Sequence, residues 1–201
     1  LNALDPDRTF FLFLDIDKLQ VHATQIDNEL RTGRMEFVPA VDAIFNVRLK
    51  EAAVVYRKLL AKPFDFTVKE VVSLDGEDLP FAANEAARTE NWRKRLKYMT
   101  LERYADALET REKNKGQKDF VVKADSTLER EARERVLKIW DRTFDRLTNK
   151  FTLDEKFNLY INTIAETMDP HTQFFPPIEK RAFDEAMNGE FFGIGAQLSE
   201  Q

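Results

Sequence analysis

The sequence predicts a mainly α-helical protein, an antiparallel bundle of about five to seven helices with a short strand near its C-terminal end. Apolar residues recur at spacings of three and four through most of the chain, which is the period of a helix with one buried face. Charged residues make up 33% of the 201 residues, and only six are glycine. That composition is typical of a helix-rich protein, and the length is sufficient for one hydrophobic core.

The first helix is expected to begin near Asp15 and to end at Gly33, a residue suited to the left-handed turn after a helix. Asp15 and Asp17 are interpreted as acids that favour the positive end of the helix, because the glycine and distal glutamate of a calcium loop are missing. His22 is expected to be exposed on the polar face. The apolar face consists of Ile16, Leu19, Ala23, Ile26 and Leu30.

The second helix is expected to carry Pro39 in its first turn, where a missing N–H costs nothing, and to end before Pro63. Its apolar stripe comprises Val41, Ile44, Phe45, Leu49, Ala52, Val55, Tyr56 and Leu59. Residues 64–83 then predict either a short strand or an extended arm, with a turn at Asp75-Gly76.

A long helix is expected from Asn84 to about Leu108, followed by a polar run at 111–118 that predicts a flexible loop. The basic residues 93–95 are interpreted as a solvated helix face, since acidic residues interleave along the same segment. Two capping boxes, at 126–129 and 152–155, predict the starts of two further helices. Ser126 is therefore interpreted as a helix cap and not as a nucleophile.

Composition excludes several kinds of function. The net charge of −5 disfavours nucleic acid as a partner, and the absence of cysteine excludes disulfides and thiolate chemistry. No apolar run approaches the roughly 20 residues of a membrane-spanning helix. Because the first residue is Leu1 and not methionine, we expect the chain to begin inside a larger protein or after processing.

The helical region contains no recognisable active site. The serines Ser73, Ser126 and Ser199 lie outside any G-x-S-x-G elbow. Neither His22 nor His171 has a second ligand at metal-binding spacing, so we predict no metal and no cofactor. His171 is expected to form hydrogen bonds within its own turn.

One short pattern occurs twice, at 4–11 (LDPDRTFF) and at 168–175 (MDPHTQFF). In both, an apolar residue and an Asp-Pro pair precede a threonine and two phenylalanines. Proline moves its predecessor out of the helical region, so each pair predicts a tight turn. We expect both copies to share one local design, a turn followed by buried aromatic rings.

The glycine-spaced residues Gly193, Ile194, Gly195 and Ala196 form the candidate binding site. Two glycines around one apolar residue allow successive backbone N–H groups to turn inward and hold a carboxylate. A strand from Ala196 to Leu198 would offer an edge to a bound peptide. An ordinary strand with close backbone packing is the alternative, and the pattern lacks the third glycine of a dinucleotide fingerprint.

Residues 169–176 (DPHTQFFP), a helix that ends near 187–189 and residues 192–198 (FGIGAQL) together resemble the tail-specific proteases. That family lies within the bacterial carboxyl-terminal processing peptidases, in which a DPHT turn leads through a helix to a GIGA strand. The opening residues 4–16 and the run at 92–97 (WRKRLK) are also similar to the long helical N-terminal region of the tail-specific branch.

The resemblance implies a domain at 1–187 that is helical and non-catalytic, followed at 188–201 by the start of a truncated PDZ domain. It implies a periplasmic serine endopeptidase whose Ser nucleophile and Lys base have no counterpart in this chain. Gly193, Ile194, Gly195 and Ala196 would then bind the carboxylate of protein substrates with apolar C-terminal tails. An adaptor protein is a further implied partner, and the chain alone is expected to be inactive. The alternative is a stand-alone helical protein-interaction module.

Overall fold

Six α-helices organise the computed structural model, which describes residues 1–76, 79–118, 120–176, 180, 183, 184 and 187. A 3₁₀ turn at Gln20–His22 and a π-helical turn at Arg146–Lys150 join some of them. The helices are α1 Phe13–Leu19, α2 Ile26–Thr32, α3 Phe37–Leu60, α4 Glu85–Asn114, α5 Asp125–Asp145 and α6 Leu153–Met168.

The mainly α-helical prediction is confirmed. Within the described ranges no β-strand forms, and the nearest approach to one is an isolated parallel bridge between Leu12 and Ala82. The predicted C-terminal strand lies outside the described residues. The chain divides into two compact units, Leu1–Leu153 and Asp154–Gln201. The domain boundary expected after residue 187 stays a prediction.

The core of the first unit lies where α3, α4 and α5 pack against one another. The predicted stripe on α3 supplies much of it, including fully buried Phe45 and Tyr56. Trp92 of α4 and Trp140 of α5 meet edge to face, with ring centroids 4.5 Å apart. Each such aromatic contact stabilises the fold by about 1 kcal/mol, in addition to the stabilisation from the apolar area that the rings bury.

Local chemistry at several helix ends follows the sequence. Gly33 ends α2 with a φ of 69°, a left-handed conformation that costs glycine little. Pro39 lies in the first turn of α3, as predicted. Asn84 caps α4 by accepting a 2.9 Å hydrogen bond from the N–H of Ala87. Thr152 directly precedes α6, which agrees with the predicted start of that helix.

The prediction of one continuous helix from Asp15 to Leu30 is wrong. The chain leaves α1 at Leu19 and re-enters a helix at Ile26. Between them, the N–H groups of Ala23 and Gln25 bond to carbonyl oxygens three residues earlier, a pattern that tightens and ends a helix. The break allows Glu29 of α2 to turn back toward the start of α3.

The capping box predicted at Ser126 is also wrong. The structure starts α5 at Asp125, with Ala124 in the capping position and no side-chain cap. Glu129, which was expected to complete the box, instead pairs with Arg133 one turn later at 2.9 Å. An i,i+4 ion pair on a half-buried face has replaced the reciprocal cap.

The polar run at 111–118 is only partly a loop, because α4 continues through residues 111–114. Arg111 anchors this last turn, since its Nη1 donates to the carbonyl of Lys123 at 3.0 Å and to the carboxylate of Asp125 at 2.5 Å. Part of the polar run is therefore ordered by hydrogen bonds to the start of α5.

Residues 64–76 and 79–83 form the extended arm and not the strand. The arm is fastened to α4 by Glu70, which accepts hydrogen bonds from Arg93 and from Lys97. These bonds lower the pKa of Glu70 to about 2. The interpretation of residues 93–95 as a solvated face is accordingly wrong: Arg93 binds the arm, and Arg95 pairs with Asp7 at 2.6 Å.

Candidate functional site

The predicted carboxylate-binding residues Gly193, Ile194, Gly195 and Ala196 lie outside the described residues, so their geometry stays a prediction. The structure does describe the turn that precedes them in sequence, the attachment of the N-terminal segment to the bundle, and the clefts of the first unit. These are the places where a functional arrangement can be examined.

The turn at 169–175 in the second unit is held by side chains. Asp169 accepts a 3.0 Å hydrogen bond from the N–H of His171 and a 3.1 Å bond from the hydroxyl of Thr172. Asn162 of α6 then pairs with the backbone of Phe174: its Oδ1 accepts from the N–H at 2.7 Å, and its Nδ2 donates to the carbonyl at 3.3 Å. One amide side chain thus satisfies both backbone groups of Phe174.

The corresponding turn at the N-terminus is buried in the first unit. The carboxylate of Asp5, which is 0% exposed, accepts hydrogen bonds from the N–H groups of Thr9, Phe10 and Phe11 at 2.8–2.9 Å. The next carbonyls are bound by α4, since Trp92 Nε1 donates to Thr9 O at 2.9 Å. Side chains therefore satisfy the buried backbone of this turn, the Asp5 carboxylate at three N–H groups and the Trp92 indole at one carbonyl.

Arg88 of α4 connects that turn to an ion-pair network. Its Nη1 donates to the carbonyl of Phe10 at 2.9 Å, and its Nη2 donates to Glu51 at 2.6 Å. Glu51 also accepts from Arg48, which forms a bidentate pair with Asp15 of α1 at 2.7 and 2.8 Å. The network joins the N-terminal segment, α3 and α4 into one assembly.

The pKa values of the carboxylates in this region are shifted in opposite directions. Burial raises the pKa of Asp5, although the backbone hydrogen bonds act against it. Burial would also raise the pKa of Asp15, but hydrogen bonds from Arg48 and from the N–H of Leu12, with the charge of Arg48, lower it overall. Hydrogen bonds from Arg88 and Arg48 likewise outweigh burial and lower the pKa of Glu51. We interpret the Asp5 turn and the ion-pair network of Asp15 and Glu51 as structural, because every carboxylate oxygen in them binds a protein group.

Neither of the serines that the structure describes is part of a nucleophile–base pair. Ser73 is exposed and donates to the carbonyl of Asp75, and Ser126 is exposed in the first turn of α5. Neither hydroxyl contacts a histidine or a lysine among the described residues, so neither is activated for attack. Ser199 lies outside them.

The two histidines have ordinary structural surroundings. His22 is half-buried, which contradicts the prediction that it is exposed: its Nδ1 lies 3.4 Å from Oε1 of Glu29, and its ring meets Phe37 edge to face. His171 is exposed and contributes its backbone N–H to the Asp169 turn, which agrees with the prediction. Among described residues, no group of three or more potential ligands is placed to hold a metal ion.

Over the described residues, none of the helices is long and apolar enough to cross a membrane.

The clefts of the first unit include two that are lined by described residues. The smaller, of about 270 Å³, lies between α4 and α5 beside Arg111 and Lys123. The larger, of about 800 Å³, lies between α3 and the C-terminal end of α5, bounded by the π-helical turn. The larger cleft is lined by Asn46, Leu49, Lys50, Ala53, Arg57, Asp141, Phe144, Asp145, Thr148 and Asn149.

One wall of the larger cleft is fixed by Asp141. Its Oδ1 accepts hydrogen bonds from the hydroxyl of Tyr56 at 2.6 Å and from Arg57 at 2.9 and 3.2 Å. The bond from Tyr56, with the help of Arg57, lowers the pKa of Asp141 in spite of burial. Burial and the neighbouring Asp141 raise the pKa of Tyr56 well above its usual value. At neutral pH the wall is therefore a carboxylate held by a neutral phenol and a guanidinium.

Sequence reasoning missed Asp5, Arg88 and Asp141. The Asp-Pro pair at Asp5 predicts a turn, but it does not indicate that the carboxylate is buried. Arg88 binds Phe10 and Glu51 across 78 and 37 positions, and Asp141 binds Tyr56 across 85. No local pattern encodes such contacts.

Comparison with known proteins identifies a family model and, among the curated proteins, a relative. A family model described as "Tail specific protease N-terminal domain" matches residues 1–178. The whole chain is also 26% identical over 205 aligned positions to a protein named tail-specific protease from Haemophilus influenzae. The alignment covers 26% of that protein, so the chain spans about a quarter of the length of this curated relative.

Proposed function

Because this chain belongs to the family of tail-specific protease N-terminal domains, we propose that it is the non-catalytic helical arm of a serine endopeptidase. The enzyme processes or degrades proteins that it recognises by their C-terminal tails, and the arm positions substrates or an adaptor protein. The match over residues 1–178 carries this proposal.

The surroundings of the reactive side chains support a non-catalytic role. In the described part of the chain, Ser73 and Ser126 lack a base, and the buried carboxylates Asp5 and Asp15 hold backbone or arginine groups. A Ser–Lys pair would have to be supplied by other residues of the complete protein. The arm contributes a rigid aromatic core and a turn at 169–175.

The tail-binding residues of the proposal are Gly193, Ile194, Gly195 and Ala196, which would begin a PDZ domain. Backbone N–H groups without a neighbouring Cβ can approach a carboxylate closely. A peptide bound there would extend the adjacent strand, so main-chain hydrogen bonds would add affinity and an apolar side chain would add specificity.

The decisive test compares the 201-residue chain with the natural polypeptide that contains it. Both proteins are given a fluorogenic peptide with an apolar C-terminal tail, and the same peptide with an amidated C-terminus. We expect the chain to give no cleavage above background, and the natural polypeptide to prefer the free carboxylate. Turnover by the chain alone would contradict the non-catalytic role. A natural polypeptide that ends near Gln201 would favour a stand-alone interaction module.

The glycine site is tested by Gly195→Val in the natural polypeptide, with Gly116→Ala as the matched control. A Cβ at Gly116 would meet no atom within 4 Å, so that variant should retain wild-type kinetics. Gly195→Val should raise KM for the free-tail peptide about tenfold and change cleavage of the amidated peptide little, because only the carboxylate contact is lost. Equal kinetics for both peptides would remove the glycines from the tail-binding role.

Periplasmic location is part of the proposal and rests on the resemblance. Osmotic-shock fractionation of cells that produce the natural polypeptide should release it with other periplasmic proteins. Recovery in the cytoplasmic fraction would contradict this location.

A further inference from the structure

We propose that the larger cleft, between α3 and the C-terminal end of α5, binds an extended polypeptide segment that carries apolar side chains and a carboxylate. The inference rests on the proposed function, because the segment would belong to a protein substrate held by the arm. The cleft is lined by residues other than Gly193, Ile194, Gly195 and Ala196, and all of its lining residues are described.

The cleft has the size and lining of a peptide site. Its volume of about 800 Å³ falls within the range of about 300–1,000 Å³ that is usual for ligand sites. Leu49 and Phe144 form an apolar floor, and both side chains are almost fully buried by the core behind them. The floor is therefore rigid, and polar groups stand on both sides of it.

Opposite charges stand on the two walls. The α3 wall carries Lys50 and Arg57, whereas the α5 wall carries Asp141 and Asp145. Polyanions such as nucleic acid would meet the two carboxylates, which disfavours them as occupants. A polypeptide with isolated charges can match such a surface.

Asn46 and Lys50 are lining residues whose side chains have unused hydrogen-bonding capacity. Arg57 is occupied by Asp141, and Asp145 accepts from Asn149 at 2.7 Å. The side chains of Lys50 and Asn46, in contrast, form no hydrogen bond or ion pair with other described residues. The half-buried Asn46 amide and the exposed Lys50 ammonium are thus available to a ligand.

The floor of the cleft ends at the π-helical turn Arg146–Lys150, which contributes Thr148 and Asn149 to the lining. π-Helical turns are rare in globular proteins and are found frequently at functional sites. Here the turn directly follows Asp145, so it shapes the rim nearest the acidic wall.

An extended polypeptide fits these groups better than a compact small molecule. Asn162 shows, within this same protein, how one asparagine pairs with the N–H and the carbonyl of a single residue. Asn46 can bind a ligand backbone in that way, while Lys50 receives a carboxylate one turn further along α3. Val47 and Val54 flank these residues and are 53% and 67% exposed, so apolar side chains of the ligand can pack on the rim.

The test uses charge reversal in the 201-residue chain. The probe is a fluorescein-labelled ten-residue peptide in which valine and serine alternate around a central glutamate; a second peptide has lysine at the centre. At low ionic strength, Lys50→Glu should weaken binding of the glutamate peptide about fivefold and strengthen binding of the lysine peptide, because an attraction has become a repulsion. Fluorescence anisotropy measures both affinities.

Lys58→Glu is the matched control, since it makes the same charge change on an exposed residue of α3 that does not line the cleft. It should leave both affinities within twofold. Asn46→Leu should weaken both peptides about equally, since it removes backbone contacts and not the charge. Equal effects of Lys50→Glu and Lys58→Glu, or no binding by wild-type protein, would overturn the proposal.

Failure of this inference can be distinguished from failure of the proposed function. Peptide binding requires no peptidase activity. If the natural polypeptide cleaves tail peptides while Lys50→Glu changes neither affinity, the cleft is not the site. If the charge swap succeeds and no cleavage occurs, the peptide site stands and the protease assignment fails.

Discussion

The two Asp-Pro turns share a sequence and differ in depth. After Asp5, phenylalanines follow at the fifth and sixth positions, and the same offsets hold after Asp169. In the first turn Asp5 and Phe11 are both 0% exposed. In the second turn Asp169 is exposed and the phenylalanines are only half-buried.

The two turns differ in which side chain accepts a hydrogen bond from the backbone N–H of the first phenylalanine. Asp5 accepts from the N–H of Phe10 itself, at 2.9 Å, whereas the N–H of Phe174 at the same offset is taken by Asn162. The first turn also holds Arg8 at a φ of 53°, a left-handed conformation that costs a non-glycine residue roughly 1–2 kcal/mol. A short pattern can specify a turn, but its surroundings determine how much stability depends on it.

The largest expected effect comes from removing the buried carboxylate. Asp5→Ala leaves the N–H groups of Thr9, Phe10 and Phe11 without an acceptor. We expect the free energy of unfolding to fall by about 4 kcal/mol, because each orphaned buried donor costs about 1–3 kcal/mol. Urea unfolding followed by circular dichroism measures it.

Asp169→Ala is the matched control for that variant. The exposed carboxylate can be replaced by water, so the loss should stay under about 0.5 kcal/mol. Equal losses for the two variants would mean that burial does not distinguish the turns.

The second prediction concerns the extended arm at residues 64–76 and 79–83, in which Gly76 lies against the first turn. A Cβ on Gly76 would lie 1.7 Å from the carbonyl oxygen of Pro6, which is backbone and cannot rotate away. Gly76→Ala should therefore separate the arm from the turn and destabilise the first unit by about 3 kcal/mol. Gly116→Ala, at a site with no atom within 4 Å, should change the unfolding free energy little. A neutral Gly76→Ala would show that the contact is dispensable.

How far the sequence predicts this fold depends on the range of the interactions. Gly33 and Pro39 act on their own helix ends, and both were found in the predicted roles. Asn84 lies at the predicted start of α4 and also caps it. The cap at Ser126 failed although its residues fit the pattern, because α5 begins two residues earlier than that cap requires, at Asp125. The role of Arg88 could not be predicted, because its hydrogen-bond partners are distant in the sequence. Of the candidate site, the glycine residues stay a prediction, and the charged cleft could not be inferred before α3 and α5 were placed together.

The third prediction uses the opposite titration of Asp5 and Asp15. The folded-state pKa of Asp15 is below its ordinary value of 3.8, so its contribution is present above that pH and is lost as pH falls through the folded pKa. The folded-state pKa of Asp5 is raised from 3.8. Its contribution is therefore full below that pH and declines as pH rises through the folded pKa.

Two asparagine variants test these signs. Asp15→Asn should cost about 2 kcal/mol at pH 7, and its difference from wild type should shrink below pH 3.8. The difference for Asp5→Asn should instead narrow as pH rises from 3.8. Urea unfolding across pH 2.5–7 measures both differences, and parallel pH profiles would contradict the assigned directions.

The smallest expected effect is in the second turn. Asn162→Leu removes the acceptor for the Phe174 N–H and the donor for its carbonyl, at a cost of about 1 kcal/mol because both groups can reach water. Hydrogen exchange at the Phe174 amide should accelerate about fivefold. Asn162→Asp retains the acceptor and should preserve most of that protection. If Asn162→Leu leaves exchange unchanged while Asp169→Ala accelerates it, the aspartate would hold the aromatic backbone in both turns, and the two turns would differ in burial alone.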